Sequence, residues 1–140
     1  MSSNASILKT RYETIEEALS IMESIVGKDF LEVESDRKTK MALRACILFY
    51  AQGILDLANI VLTTRDLTPK NHKEIFEILI RAKIVDEKYA ELLSELVVLR
   101  NKLLFLYDEI DTKYLYEFVR KNKEEMSELY HVMIRLCGSV

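Results

Sequence analysis

Glycine and proline are scarce in this chain, with three of the first and one of the second in 140 residues. An all-β fold turns often and draws on both, so their scarcity argues against one. Tryptophan is absent, and the two cysteines, Cys46 and Cys137, are far apart with no C-x-x-C. Free thiols in a reducing compartment are expected, not a disulfide framework. Histidine is limited to His72 and His131. Neither has a second ligand at helical spacing, so no metal site and no cofactor is expected. No G-x-x-x-x-G-K-[ST], G-x-G-x-x-G or H-E-x-x-H occurs, and no serine sits in a nucleophile-elbow context. Charge of one sign is also lacking: 20 basic residues face 23 acidic ones, for a net charge of −3. No global field draws the chain onto nucleic acid, which leaves only a local phosphate site open. The first residues show no basic segment followed by an apolar run, so no signal peptide is expected and the cytoplasm is the expected location.

What is present suits helices. Apolar residues make up 49% of the chain and charged residues 31%, which excludes a disordered chain. At this length one domain, residues 1–140, is expected, with about two-thirds of its surface buried. Five helical stretches follow from the spacing. In the first, about Ile7 to Val26, the residues Leu8, Tyr12, Ile15, Leu19, Met22 and Val26 fall 4, 3, 4, 3 and 4 apart, and Gly27 can stop it. Residues 28–35 read as a loop. A second stretch runs from about Asp36 to Thr63. A third starts at Thr68-Pro69 and ends near Lys83, with Thr68 as N-cap. Asp86 can cap the fourth and Asp111 the fifth. Five helices on short loops make a compact all-α bundle.

The second stretch contains ACILFYAQGILDLANIVL, eighteen mostly apolar residues at 45–62. A membrane span is rejected because Asp56 lies in its middle, flanked by Gln52 and Asn59. A helix apolar nearly all round is instead the centre of a bundle or packs on a second chain. Gln52, Asp56 and Asn59 stand at i, i+4 and i+7 and share one face. That stripe either forms a hydrogen-bond network between helices or borders a functional cleft. The apolar surface exceeds what one small bundle covers, so a homodimer is expected.

One segment can carry chemistry. Arg100 interrupts the apolar run of the fourth stretch, and seven residues turn an ideal helix through about 700°, which puts Tyr107 on the same face. An arginine and a tyrosine together can hold a phosphate. An arginine that snorkels to a partner carboxylate reads equally well. The carboxylate pairs Glu16-Glu17 and Glu124-Glu125 lie on solvent faces and suggest no acid/base chemistry.

The segment RNKLLFLYDEID at 100–111 resembles the signature of HEPN-domain proteins, specifically the HepT-like ribonuclease toxins. Their motif is Arg, usually followed by Asn, with His five positions after the Arg, then any residue and Tyr. GILDLANIVL resembles their second helix, and IFEILIRAKIVDEKYAELLSELVVLRN their third and fourth. The resemblance covers about residues 40–136. It implies a two-fold dimer and metal-independent RNA cleavage at a cleft between protomers, with Arg100 and Asn101 in the catalytic motif. The motif histidine falls at position 105, where this chain has Phe105. Imidazole moves a proton near neutral pH and phenylalanine cannot, which costs about 10²–10⁴-fold.

The resemblance further implies a partner, a minimal nucleotidyltransferase antitoxin that transfers AMP to the motif tyrosine, here Tyr107. The expected function is therefore the toxin-type component of a prokaryotic toxin–antitoxin pair, acting on RNA, with catalysis compromised by Phe105. The rival is a non-catalytic HEPN protein that binds a nucleotide or a partner as a helical dimer. Gln52, Asp56 and Asn59 are the candidate cleft lining.

Overall fold

The computed structural model describes residues 2–138, with side chains from residue 6 onward. The outermost residues of the expected 1–140 domain lie outside that range. The described residues form six α-helices: α1 (Ser2–Val26), α2 (Phe30–Glu34), α3 (Arg37–Thr64), α4 (His72–Arg81), α5 (Ala90–Phe105) and α6 (Thr112–Cys137). Short 3₁₀ turns at Glu87–Tyr89 and Tyr107–Glu109 flank α5. No strand occurs among the described residues.

The five long helices are the five that the apolar stripes predict. Helix α2 is an addition, in the segment expected as a loop. Val33 is fully buried there, and Phe30 packs edge-on against Tyr116 at 5.4 Å between centroids. One turn of helix is what brings these two side chains to the core. Helix α4 starts later than Thr68-Pro69 predicts. Its N-cap is Asn71, whose side chain accepts the Glu74 N–H at 2.9 Å, while the Glu74 carboxylate takes the Lys70 N–H at 3.2 Å. Asp86 caps the 3₁₀ turn before α5, accepting from Lys88 N–H at 2.8 Å. Asp111 caps α6 as expected, accepting from Lys113 N–H at 3.1 Å.

Two helices, α3 and α4, end in a left-handed turn without the glycine that usually allows it. Asp66 and Lys83 adopt φ of 56° and 59° just beyond α3 and α4. Each sits in a Schellman arrangement: Leu67 N–H reaches Leu62 C=O at 3.0 Å, and Ile84 N–H reaches Leu79 C=O at 3.0 Å. Their left-handed backbones carry a side chain and are strained accordingly.

Helix α3 is the centre of the bundle and touches each of the other five. It is long and apolar enough to cross a membrane, yet 61% of its most apolar window is buried inside the protein. That burial is what a core helix shows. Tyr50, fully buried, donates to the Met126 carbonyl of α6 at 2.7 Å. Gly53 lets α1 approach closely, because a Cβ there would stand 2.5 Å from Cγ1 of Ile15. Both cysteines are free and buried, Cys46 on α3 and Cys137 at the end of α6, and burial pushes both thiols above the usual range.

Candidate functional site

The polar stripe of α3 meets α1 on one side and α5 on the other. Arg11 of α1 donates from Nη1 to Asp56 Oδ2 at 2.7 Å. Gln52 Nε2 donates to Asp56 Oδ1 at 2.9 Å. Arg100 of α5 donates from Nε to Gln52 Oε1 at 2.9 Å and from Nη1 to Asn101 Oδ1 at 3.1 Å. Five side chains from three helices thus form one chain of hydrogen bonds. Two guanidinium groups and one carboxylate leave it with a formal charge of +1. Two members of the stripe, Gln52 and Asp56, thus form an interhelical network, and that network holds Arg100.

Arg100 keeps a spare donor. Its Nη2 has no acceptor among the described residues, and the residue is only partly buried. A guanidinium held from behind by a neutral amide retains its charge for an anion in front. The intervening Gln52 keeps Arg100 off the Asp56 carboxylate.

Phe105 and Tyr107 lie where α5 stops. The helix ends at Phe105, and Leu106 turns the backbone out with φ −128° and ψ 39°. Tyr107 therefore belongs to a separate 3₁₀ turn, and the shared helical face with Arg100 drawn from a continuous helix does not hold. Both side chains stand in solvent, Phe105 at 71% exposure and Tyr107 at 63%. Leu104 and Leu106 are exposed as well, so four consecutive large apolar residues project from the end of α5.

The third member of the stripe is elsewhere. Asn59 is exposed and takes no part in the network. It borders a separate cavity of about 290 Å³ with Asp56, Lys70, Asn71 and His72. His72 thus shares a cavity with Asp56, and Arg100 does not line it. His131 lies in a groove between α1 and α6 beside Tyr130. Burial and a 2.7 Å bond to Glu16 push the Tyr130 phenol above the ordinary tyrosine range. Among the described residues no group of three or more His, Cys, Asp or Glu comes together to hold a metal.

Sequence reading missed two arginines. Arg11 stands three after Leu8 and four before Ile15, on the apolar stripe of α1, and a cation placed there calls for a partner. Arg44 of α3 donates from Nη2 to the Ile110 carbonyl at 3.5 Å, under the connection that carries Tyr107, and its Nε is buried without an acceptor. Nothing in the spacing of α3 singles it out.

The fold is an all-α bundle in which a hydrogen-bonded network spans α1, α3 and α5. The chain belongs to the HepT-like ribonuclease family: the family model described as Ribonuclease HepT-like matches residues 15–133. The matched span includes Gln52, Asp56, Arg100, Phe105 and Tyr107 and leaves out Arg11. A solved structure described as "Crystal structure of the toxin-antitoxin with AMP-PNP" is similar in fold, with a TM-score of 0.80 at 16% identity over 91% of this chain and 97% of that one. No curated protein matches the sequence.

Proposed function

We propose that the protein is the toxin-type component of a toxin–antitoxin pair and binds RNA phosphate at Arg100. The observation that carries this is the Gln52–Arg100 bond, which fixes a guanidinium while leaving Nη2 open. Membership in the HepT-like family gives the RNA-directed context. The similar fold of a toxin–antitoxin complex crystallised with AMP-PNP supports a protein partner and a nucleotide nearby.

The working unit is a homodimer in this reading. Leu104 to Tyr107 form an apolar projection that one protomer does not cover. A two-fold contact at the α5 end brings both copies of the motif together.

The chemistry is weak or absent. RNA cleavage without a metal needs a group that moves a proton, and Phe105 supplies none. Arg100 still stabilises charge on phosphorus, with Asn101 orienting it through Nη1. The exposure of Phe105 specifically favours the second reading, a non-catalytic dimer that keeps the phosphate site and binds a partner. Tyr107 is the AMP acceptor for a minimal nucleotidyltransferase, because its phenol is exposed on a turn within reach of another protein.

The deciding experiment co-expresses the chain with such a nucleotidyltransferase and measures intact mass and RNA binding. AMP increments lost in Tyr107→Phe, and RNA affinity lost in Arg100→Ala, support the proposal. An unmodified mass beside an active partner removes the role of Tyr107. RNA affinity that is indifferent to Arg100→Ala removes the phosphate site.

A further inference from the structure

We infer that the cleft between α1 and α3 is a second nucleotide subsite, where Arg11 holds a phosphate and Phe49 stacks a base. The inference rests on the reading of Arg100 as a ligand of RNA phosphate, and it makes the ligand a single strand of at least two nucleotides. The cleft has a volume of about 180 Å³ and is lined by Thr10, Arg11, Phe49, Gln52, Gly53 and Asp56. Two of these, Gln52 and Asp56, also belong to the network that holds Arg100. The cleft therefore continues the Arg100 site across α3 toward α1.

Arg11, unlike Arg100, is paired directly with a carboxylate, and it keeps more of its edge open. One donor, Nη1, goes to Asp56, and no acceptor among the described residues takes Nε or Nη2. The ion pair is partly exposed, with side-chain exposures of 41% and 27%. Pairs this wet contribute little to folding, so stability alone gives no reason for it. A guanidinium with an open edge fits a phosphate oxygen pair. Between the two open edges lie one amide and one carboxylate, and the sum of charges stays positive. A strand with a phosphate at each guanidinium would cross the α3 stripe.

Phe49 completes the subsite. It is 51% exposed on the central helix α3, and it lines the same cleft as Arg11. An exposed ring beside a cation and hydrogen-bonding groups is a stacking platform for an unpaired base. Asp56 and Gln52 offer acceptor and donor capacity at the edge of such a base. Arg11 lies outside the span matched by the family model, whereas Phe49, Gln52 and Asp56 lie inside it.

The test titrates fluorescein-labelled hexauridylate and, separately, AMP onto the full-length protein. Phe49→Ala leaves the Arg11–Asp56 pair intact, and Arg11→Gln removes the charge. Each is expected to weaken hexauridylate about ten-fold or more, while AMP keeps the binding that it has at Arg100. Arg11→Gln should also flatten the salt dependence by about 0.7 in the log–log slope. Arg100→Ala is expected to weaken both probes.

If Arg100→Ala loses hexauridylate while Phe49→Ala and Arg11→Gln keep it, the subsite is overturned and the phosphate site at Arg100 stands. Loss in Arg11→Gln with Phe49→Ala unchanged assigns Arg11 to holding Asp56 and also overturns the subsite. A Phe49→Ala variant that loses dimer formation but keeps hexauridylate makes the ring a protein contact and overturns it too. Wild-type protein that binds no hexauridylate overturns both readings together.

Discussion

Arg100 Nε and Gln52 Oε1 meet at 2.9 Å, and the orientation of that amide is fixed by Asp56, which takes the other end of Gln52 at 2.9 Å. The carboxylate therefore acts on Arg100 at one remove. It sets which atom of Gln52 faces the guanidinium without neutralising it.

Gln52→Ala is expected to lower RNA affinity by roughly ten-fold, the range for losing one hydrogen bond to a charged group. Thermal stability should change little, because Gln52 is only half-buried. Titration and a melting curve on the same sample check both halves. Unchanged affinity would mean that helix packing alone places Arg100.

Phe105→His is expected to gain RNA cleavage over a wild type that shows little or none. The gain should disappear in the double variant with Arg100→Ala. Helix α5 continues through Phe105, so positions 100 and 105 point about 140° apart within one protomer. Activity should therefore appear only at protein concentrations where the dimer forms. Robust cleavage by the wild type would show that the missing imidazole matters less than its chemistry implies.

The fold was legible because its signal is periodic. The stripes of Leu8 to Val26 and Leu115 to Leu136 repeat every three or four residues, and a core face needs nothing else. The short α2 was not legible, since five residues hold too few positions to show a period. The start of α4 was misplaced because Thr68-Pro69 and Asn71 are both good openings, and the side chain of Glu74 decides between them. Gln52 and Asp56 stood out as polar atoms on a buried face. Their partners Arg11 and Arg100 come from helices 41 and 48 residues distant along the chain from Gln52, which spacing within one helix cannot reveal. The end of α5 was the other blind spot: no glycine or proline marks it, so Tyr107 was carried onto the helical face of Arg100.

Gly53→Ala is expected to destabilise the protein by about 1–3 kcal/mol, the range for overpacking a tight core. Ile15 has to move to admit the methyl group, since it stands 2.5 Å from that position. Chemical denaturation of both proteins measures the difference. A smaller Ile15→Val side chain in the same molecule should recover part of the loss.

Lys83→Gly is expected to stabilise the protein by about 1 kcal/mol. Its φ of 59° costs a residue with a Cβ roughly that much, and glycine carries no such cost. The side chain is exposed and its loss removes no packing. Differential scanning calorimetry should show a higher midpoint, with the calorimetric and van't Hoff enthalpies still in agreement.

The two buried thiols give the bundle a built-in clock. Cys46 sits on the central helix with 5% exposure, and Cys137 lies on the last helix with 2%. A thiol reagent reaches neither while the helices are closed, and the raised thiol pKa slows any reaction further. Labelling is therefore gated by opening and not by encounter. The Cys137 Sγ lies 3.6 Å from the Leu57 carbonyl of α3, so its modification reports α6 leaving that helix. Fraying of the last turn would expose Cys137 alone, whereas cooperative unfolding would release both thiols at one rate.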